Sequence, residues 1–208
     1  TDVDAVYRMT RDLPITFQRL ADVVILAMGT YVPLNAQASL FRGKAWTFLL
    51  LPTTVTSRAS DVLRGYIAQR LLWEVGAQVA ITSPLVTRYR PSVSHTSVLD
   101  AEAEALLYFK VPDVLQTLSR WERRETQRSV SAAFIDLYTK LVVEGVISRA
   151  DLSLAEAWVT DLEGIGVAIP QMEPEFRRTS MRFPLPKADE KIEHREARNA
   201  KSRAEGKP

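Results

Sequence analysis

The chain has 208 residues, 46% of them hydrophobic, a formal net charge of +2 and no cysteine. That length holds one domain with a good core, or one domain plus appendages, and the missing cysteines exclude disulfides and thiolate metal sites. Seven Lys/Arg and five Asp/Glu in residues 187–208 account for the whole net charge, so the body is neutral and offers no nucleic-acid surface.

No run reaches the roughly 18–20 apolar residues of a membrane helix, and no signal peptide is visible. The chain begins at Thr1 rather than Met, inside a charged segment. It therefore reads as a piece of a longer protein, with any targeting or membrane segment upstream.

Asp2 and Asp4 open the chain as an Asp-x-Asp pair. Two carboxylates so close can share a divalent cation that holds a diphosphate, or can cap the turn leading into residues 5–9. Residues 20–26, LADVVIL, read as a short strand or edge segment, and Pro33 in the following loop forbids a central-strand position. Residues 34–41 read as extended, which puts Asn35 and Gln37 on one face at period two. Amides in that arrangement read sugar hydroxyls or tie down a neighbouring loop. Gly43 turns the chain, and residues 45–51, AWTFLLL, are a core run too short to classify by periodicity.

Residues 49–76, LLLPTTVTSRASDVLRGYIAQRLLWEVG, are the stretch around which the chain is organised. An apolar segment breaks at Pro52, crosses a Thr/Ser-rich loop and enters a helix, for which Ser57 or Ser60 is the expected cap. Gly76 follows the last periodic residue, where a left-handed C-cap is expected. Apolar side chains cover most of the circumference, the pattern of a buried helix. Its first turns nonetheless carry Arg58, Asp61 and Arg64, and charge removed from water costs several kcal/mol unless it is paired or used. Either Asp61 pairs with both arginines at i±3, or a carboxylate able to accept a proton stands between guanidinium groups suited to phosphate oxygens.

Residues 78–82, QVAIT, read as a buried strand, followed by a loop over 85–95 containing Arg88, Arg90 and His95. From Ser97 the pattern is helical: an acidic start running to residue 109 or 110, a restart at Pro112 through Trp121, a helix over 130–144, and an amphipathic helix over 151–162. The aromatic residues here read as core. Beyond Gly164 prolines mark an extended segment, and residues 187–208 read as a solvated helix or as disordered.

Three strings together resemble the STELLO family of probable glycosyltransferases, a plant Golgi group with relatives elsewhere. They are DVDAVYRMT at 2–10, YVPLNAQ at 31–37 and LPTTVTSRASDVLRGYIAQRLLWE at 51–74, and the loop ending in His95 also fits. The resemblance covers roughly residues 1–125 and rests on long ordered strings, although Leu63 stands where the family has a tryptophan. More distantly, the order of features is similar to the reversibly glycosylated polypeptides that handle UDP-arabinose.

The resemblance implies an α/β fold: the C-terminal, acceptor-side part of a GT-A-like mixed-sheet domain over residues 1–96. A helical extension over 97–165 and a charged tail over 166–208 complete the division. The implied activity is transfer of a sugar from a nucleotide-sugar donor to a glycan or other hydroxyl acceptor. Asp61 matches the position of the base that deprotonates the acceptor, with Arg58 and Arg64 steadying phosphate charge. Asn35, Gln37 and Arg90 join the substrate-binding set. A divalent metal, manganese or magnesium, is implied, with His95 as the candidate ligand. Asp2 and Asp4 fall in a later segment than the metal-binding Asp-x-Asp of such enzymes, which lies upstream. Golgi residence and assistance to a polysaccharide synthase complex follow from the plant members. The alternative is a non-catalytic assembly factor built on the same scaffold, in which Arg58, Asp61 and Arg64 form a structural ion network.

Overall fold

A computed structural model describes residues 3–11, 23–83, 86, 97–124 and 129–173. All belong to one compact unit, Thr1–Arg177. In chain order the elements are α1 (Ala5–Thr10), β1 (Val24–Ile25), a 3-10 helix (Gly43–Phe48), α2 (Ser57–Glu74), β2 (Ala80–Ile81), α3 (Ser97–Ala103), α4 (Ala105–Phe109), α5 (Val111–Arg120), α6 (Val130–Val143) and α7 (Arg149–Gly164). The described part is mostly helical.

Helix α2 is the central rod. Leu63, Ile67, Leu71 and Val75 recur at helical spacing and are fully buried, and so are Gln69, Arg70 and Glu74 to within a few per cent. The α2 helix packs against the 3-10 helix, α3, α5 and α6, while α7 lies along α6. The core therefore joins Phe48 to Val114 and Leu118 of α5 and to Phe134, Leu137, Tyr138 and Leu141 of α6. Phe134 stacks at 4.6 Å on Tyr138 and lies 6.4 Å from Phe48, ring centroid to centroid. Each such side chain contributes roughly 1.5–3 kcal/mol by leaving water.

The C-terminus of α2 forms as its sequence dictates. Gly76 takes φ 65°, the amide of Gly76 donates to Trp73 and that of Ala77 to Leu72, so the last carbonyls of the helix are satisfied. The N-terminus differs from expectation. Thr56, not Ser57 or Ser60, is the cap residue and it makes no side-chain cap bond. Its hydroxyl instead donates to the Ala103 carbonyl, and the Ser60 hydroxyl donates to the Pro52 carbonyl. The hydroxyls thus fasten the loop and α3 to the helix rather than closing its first turn.

Other expectations need correction. Residues 45–51 begin inside a 3-10 helix with Ala45, Thr47 and Phe48 buried and Trp46 exposed. The strand expected at 78–82 is a two-residue pairing, Val24 with Ile81 and Ile25 with Ala80, antiparallel and exposed on every side chain. The first helix of the second half breaks at Glu104, whose side chain turns away to accept from the Ala5 amide at 2.8 Å and the Tyr108 hydroxyl at 2.6 Å. Pro112 sits at the start of α5, where a missing N–H costs no helical bond.

Candidate active site at the start of helix α2

The loop 52–56 sets where α2 begins. Thr53 and Thr54 present their amides and hydroxyls to the Asp151 carboxylate at the start of α7, and Asp151 is 1% exposed. Helix α2 then leaves this anchored loop with Arg58, Asp61 and Arg64 on successive turns.

The three charged groups do not form a mutual ion network. Arg58 Nη2 reaches Asp100 Oδ1 on α3 at 2.5 Å, and the other oxygen of Asp100 takes Arg8 Nη2 of α1 at 2.9 Å. One carboxylate thereby ties three helices together, a role Asp100 shares with no residue of the candidate set. Asp61 is half-buried and its Oδ2 accepts from the backbone amide of Ala36 at 2.8 Å. Its Oδ1 receives no hydrogen bond among the described residues.

Arg64 is the unusual member. It is 7% exposed, and its Nε and Nη2 are buried without a hydrogen-bond partner among the described residues. The guanidinium lies 5.1 Å above the Phe41 ring, a cation–π contact. Burial lowers its pKa, and the negative charge of Asp61 opposes that shift.

Residues 34–41 cross over both groups. They are not extended as the sequence pattern implied. The chain turns at Gln37 and Ala38, the Gln37 amide donates to Asn35 Oδ1 at 3.3 Å, and the Ser39 hydroxyl donates to the Asn35 carbonyl. The extended, period-two face expected for Asn35 and Gln37 does not form; the Asn35 side chain folds its own loop. The loop enters past Val32, whose amide and carbonyl are both held by the Gln69 carboxamide, at 3.0 and 2.8 Å. A buried glutamine on α2 thus completes a backbone pair as a neighbouring strand would. Leu34 then packs directly on Gly65 of α2, where any side chain would meet the Leu34 carbonyl at 2.8 Å.

The remaining candidates separate from this site. Asp4 caps α1, its Oδ1 accepting from the Tyr7 amide at 2.9 Å and from the Tyr108 hydroxyl at 3.2 Å, so its carboxylate is used structurally. Asp2, Arg90 and His95 lie outside the described residues. Among the described residues no three His, Cys, Asp or Glu side chains converge into a group that could hold a metal ion, so these residues give manganese or magnesium no ligand set. No described helix is long and apolar enough to cross a membrane.

Sequence reasoning passed over the two side chains that build the site from a distance. The signal for Asp151 is Ser148-x-x-Asp151 ahead of an apolar run, a helix-start pattern in which Ser148 caps α7. The signal for Gln69 is a carboxamide in the middle of an otherwise apolar helix, which must find partners when buried.

A half-exposed carboxylate and a buried, unpaired guanidinium one turn apart, both under one loop, define a site for acid–base work beside an anion. The comparisons give that site its family. Over 176 residues, 82% of this chain, it is 34% identical to "Probable glycosyltransferase STELLO1" of Arabidopsis thaliana. It is 33% identical over 176 residues to "Probable glycosyltransferase STELLO2" of the same plant. The chain belongs to the STELLO family. It spans 22% of the length of each of these relatives. No family model matches the chain, and no solved structure matches it.

Proposed function

We propose that this chain is the acceptor-side part of a glycosyltransferase that moves a sugar from a nucleotide-sugar donor to a hydroxyl acceptor. The observation that carries the reading is the pairing of Asp61 and Arg64 at the start of α2. Asp61 has an oxygen, Oδ1, without a partner among the described residues, on a side chain that solvent reaches. Arg64 has two buried donors without partners. Membership of the STELLO family, whose relatives carry the name of probable glycosyltransferases, supports the same reaction class.

In this reading Asp61 Oδ1 accepts the proton of the acceptor hydroxyl as its oxygen attacks the anomeric carbon of the donor. The bond from that carbon to the diphosphate oxygen breaks, and the diphosphate leaves with the electron pair. Arg64 stabilises the charge that develops on it, in a dry setting where an ionic hydrogen bond is strong. Arg58 is engaged by Asp100 and contributes positive potential at longer range. Asn35 and Gln37 lie on the loop over the site and would contact acceptor or sugar once it is displaced. Arg90 would meet the donor, and a manganese or magnesium ion would find its ligands, His95 among them, outside the described residues. The α/β, GT-A-like architecture, residence in the Golgi lumen and attachment to a polysaccharide synthase complex rest on the family resemblance.

The test has two parts on the full-length protein. A thermal-shift screen over UDP- and GDP-sugars with manganese should raise the melting temperature with one donor class, because a ligand that binds the native state stabilises it. Asp61→Asn should then lower the transfer rate by about 10²–10⁴-fold, the contribution of a general base, with the melting temperature retained. No shift with any donor, or full transfer by Asp61→Asn, would overturn the assignment and favour an assembly factor.

A further inference from the structure

Arg64 raises a question that glycosyl transfer alone does not answer. Buried polar groups in native proteins are almost always hydrogen-bonded, and an orphan calls for a reason. The two orphans are not a random pair. In a guanidinium the Nε–H and one Nη2–H are parallel and lie on the same edge, so together they form a fork that fits two oxygens of one oxyanion. Nη1, on the opposite edge, is not among the buried unpartnered groups. A fork built for an oxyanion is thus kept dry and empty-handed beside Asp61.

The loop 34–41 runs over the same side of α2. Phe41 covers the guanidinium face, Leu34 seals against Gly65, and the Ala36 amide holds Asp61 Oδ2. The ends of this loop differ in kind from its middle. At one end Val32 is clamped by Gln69 through both backbone groups, and at the other a side chain at Gly43 would meet open space. Between them the loop is folded on itself through Asn35, and Leu40 at its crest is 92% exposed.

We propose that Arg64 is an oxyanion site for a diphosphate, closed by the 34–41 loop, and that diphosphate entry and release of Asp61 are one event. In this proposal, seating two phosphate oxygens on the Arg64 fork displaces the loop that carries Leu34 and Phe41. That movement carries Ala36 away and breaks its bond to Asp61, which frees both carboxylate oxygens for the acceptor. One of the two oxygens of the base is therefore held by the backbone until the anion is present. The inference rests on the proposed glycosyl transfer only for the choice of a diphosphate as the anion. The orphan fork and the latch stand without it.

Hydrogen exchange of the full-length protein, with and without inorganic pyrophosphate, tests it. Exchange over residues 34–41 should rise about tenfold or more at saturating pyrophosphate, because the Ala36 amide loses its acceptor. Arg64→Met, close in volume and without the fork, should abolish the response. Ala36→Pro, which removes the latch donor, should expose the loop without any anion and bind pyrophosphate more tightly than the wild type, since less of the binding energy goes into opening. An unchanged loop in the wild type, or an equal response in Arg64→Met, would overturn the proposal. If that happened while Asp61→Asn still abolished transfer, the glycosyltransferase reading would survive its loss. A loop that opens through Arg64 in a protein that transfers no sugar would be the reverse case.

Discussion

The carboxylate of Asp151 and Thr53, 98 positions apart in the chain, are joined twice: Oδ1 accepts from the Thr53 amide at 2.6 Å and from its hydroxyl at 3.0 Å. The other oxygen takes the amide and hydroxyl of Thr54, and Ser148 in turn donates its amide to the Thr54 hydroxyl at 3.0 Å. The start of α7 and the loop that launches α2 are thereby one rigid piece. Asp61 inherits its position from that piece, although nothing in it touches Asp61.

Replacing Asp151 with alanine should lower unfolding free energy by about 2–4 kcal/mol, because several charge-assisted hydrogen bonds go at once. Asp151→Asn, which keeps one acceptor oxygen, should lose less. Urea denaturation of the two variants measures both. Equal stability of Asp151→Ala and the wild type would mean that the loop is held by packing alone.

Gln69→Leu should cost about 2–3 kcal/mol, since it removes the partners of the Val32 amide and carbonyl together while preserving volume. Hydrogen exchange should localise the effect to residues 30–34. A uniform loss of protection across α2 would instead show that Gln69 acts through the helix, by its third bond to the Gly65 carbonyl.

How much of this was legible beforehand follows from the range of each interaction. The α2 helix was readable because its apolar repeat, its Thr/Ser-rich start and Gly76 all lie within one segment. Asp61 and Arg64 stood out because charge on a buried helix is costly. The partner of Arg58 was not readable, because Asp100 lies 42 positions away and i±3 neighbours offered a nearer answer. The turn at residues 37–38 was missed for a related reason. Period two is a rule about strands, and Asn35 satisfies backbone groups locally instead, as asparagine does in turns. Strands were legible at 20–26 and 78–82, where β1 and β2 lie, but the exposure of 80–81 was not, because apolar composition alone cannot separate a buried strand from a short exposed one.

Stability should fall in alkali through Tyr138. Its hydroxyl is buried, burial raises its pKa above the ordinary 10.0, Asp151 pushes the same way and Arg64 opposes. The unfolded chain therefore releases this proton from about pH 10, while the native state still holds it. The contribution is fully present below that pH and is lost as pH rises toward the native pKa, with a limiting slope of about 1.4 kcal/mol per pH unit. Urea midpoints measured between about pH 9 and pH 11 should show this slope in the wild type and less of it in Tyr138→Phe. An identical slope in both would assign the alkaline loss to other groups.

Gly65→Ala offers a test of how tightly the loop over the site is seated. A methyl group there would sit 2.8 Å from the Leu34 carbonyl oxygen and 2.9 Å from the Leu34 β-carbon, closer than real contacts allow. The obstacle is backbone, so it cannot be relieved by turning a flexible side chain. Helix propensity favours the change by about 1 kcal/mol, because glycine in a helix interior loses more chain entropy than alanine. Overpacking opposes it by about 1–3 kcal/mol, and the loop can respond only by rising off α2. The net expected result is a loss of roughly 1–2 kcal/mol in urea denaturation, accompanied by faster exchange at residues 34–36. A variant more stable than the wild type, with protection over those residues intact, would show that Leu34 yields without moving the loop, and that the seal over Arg64 is softer than its geometry indicates.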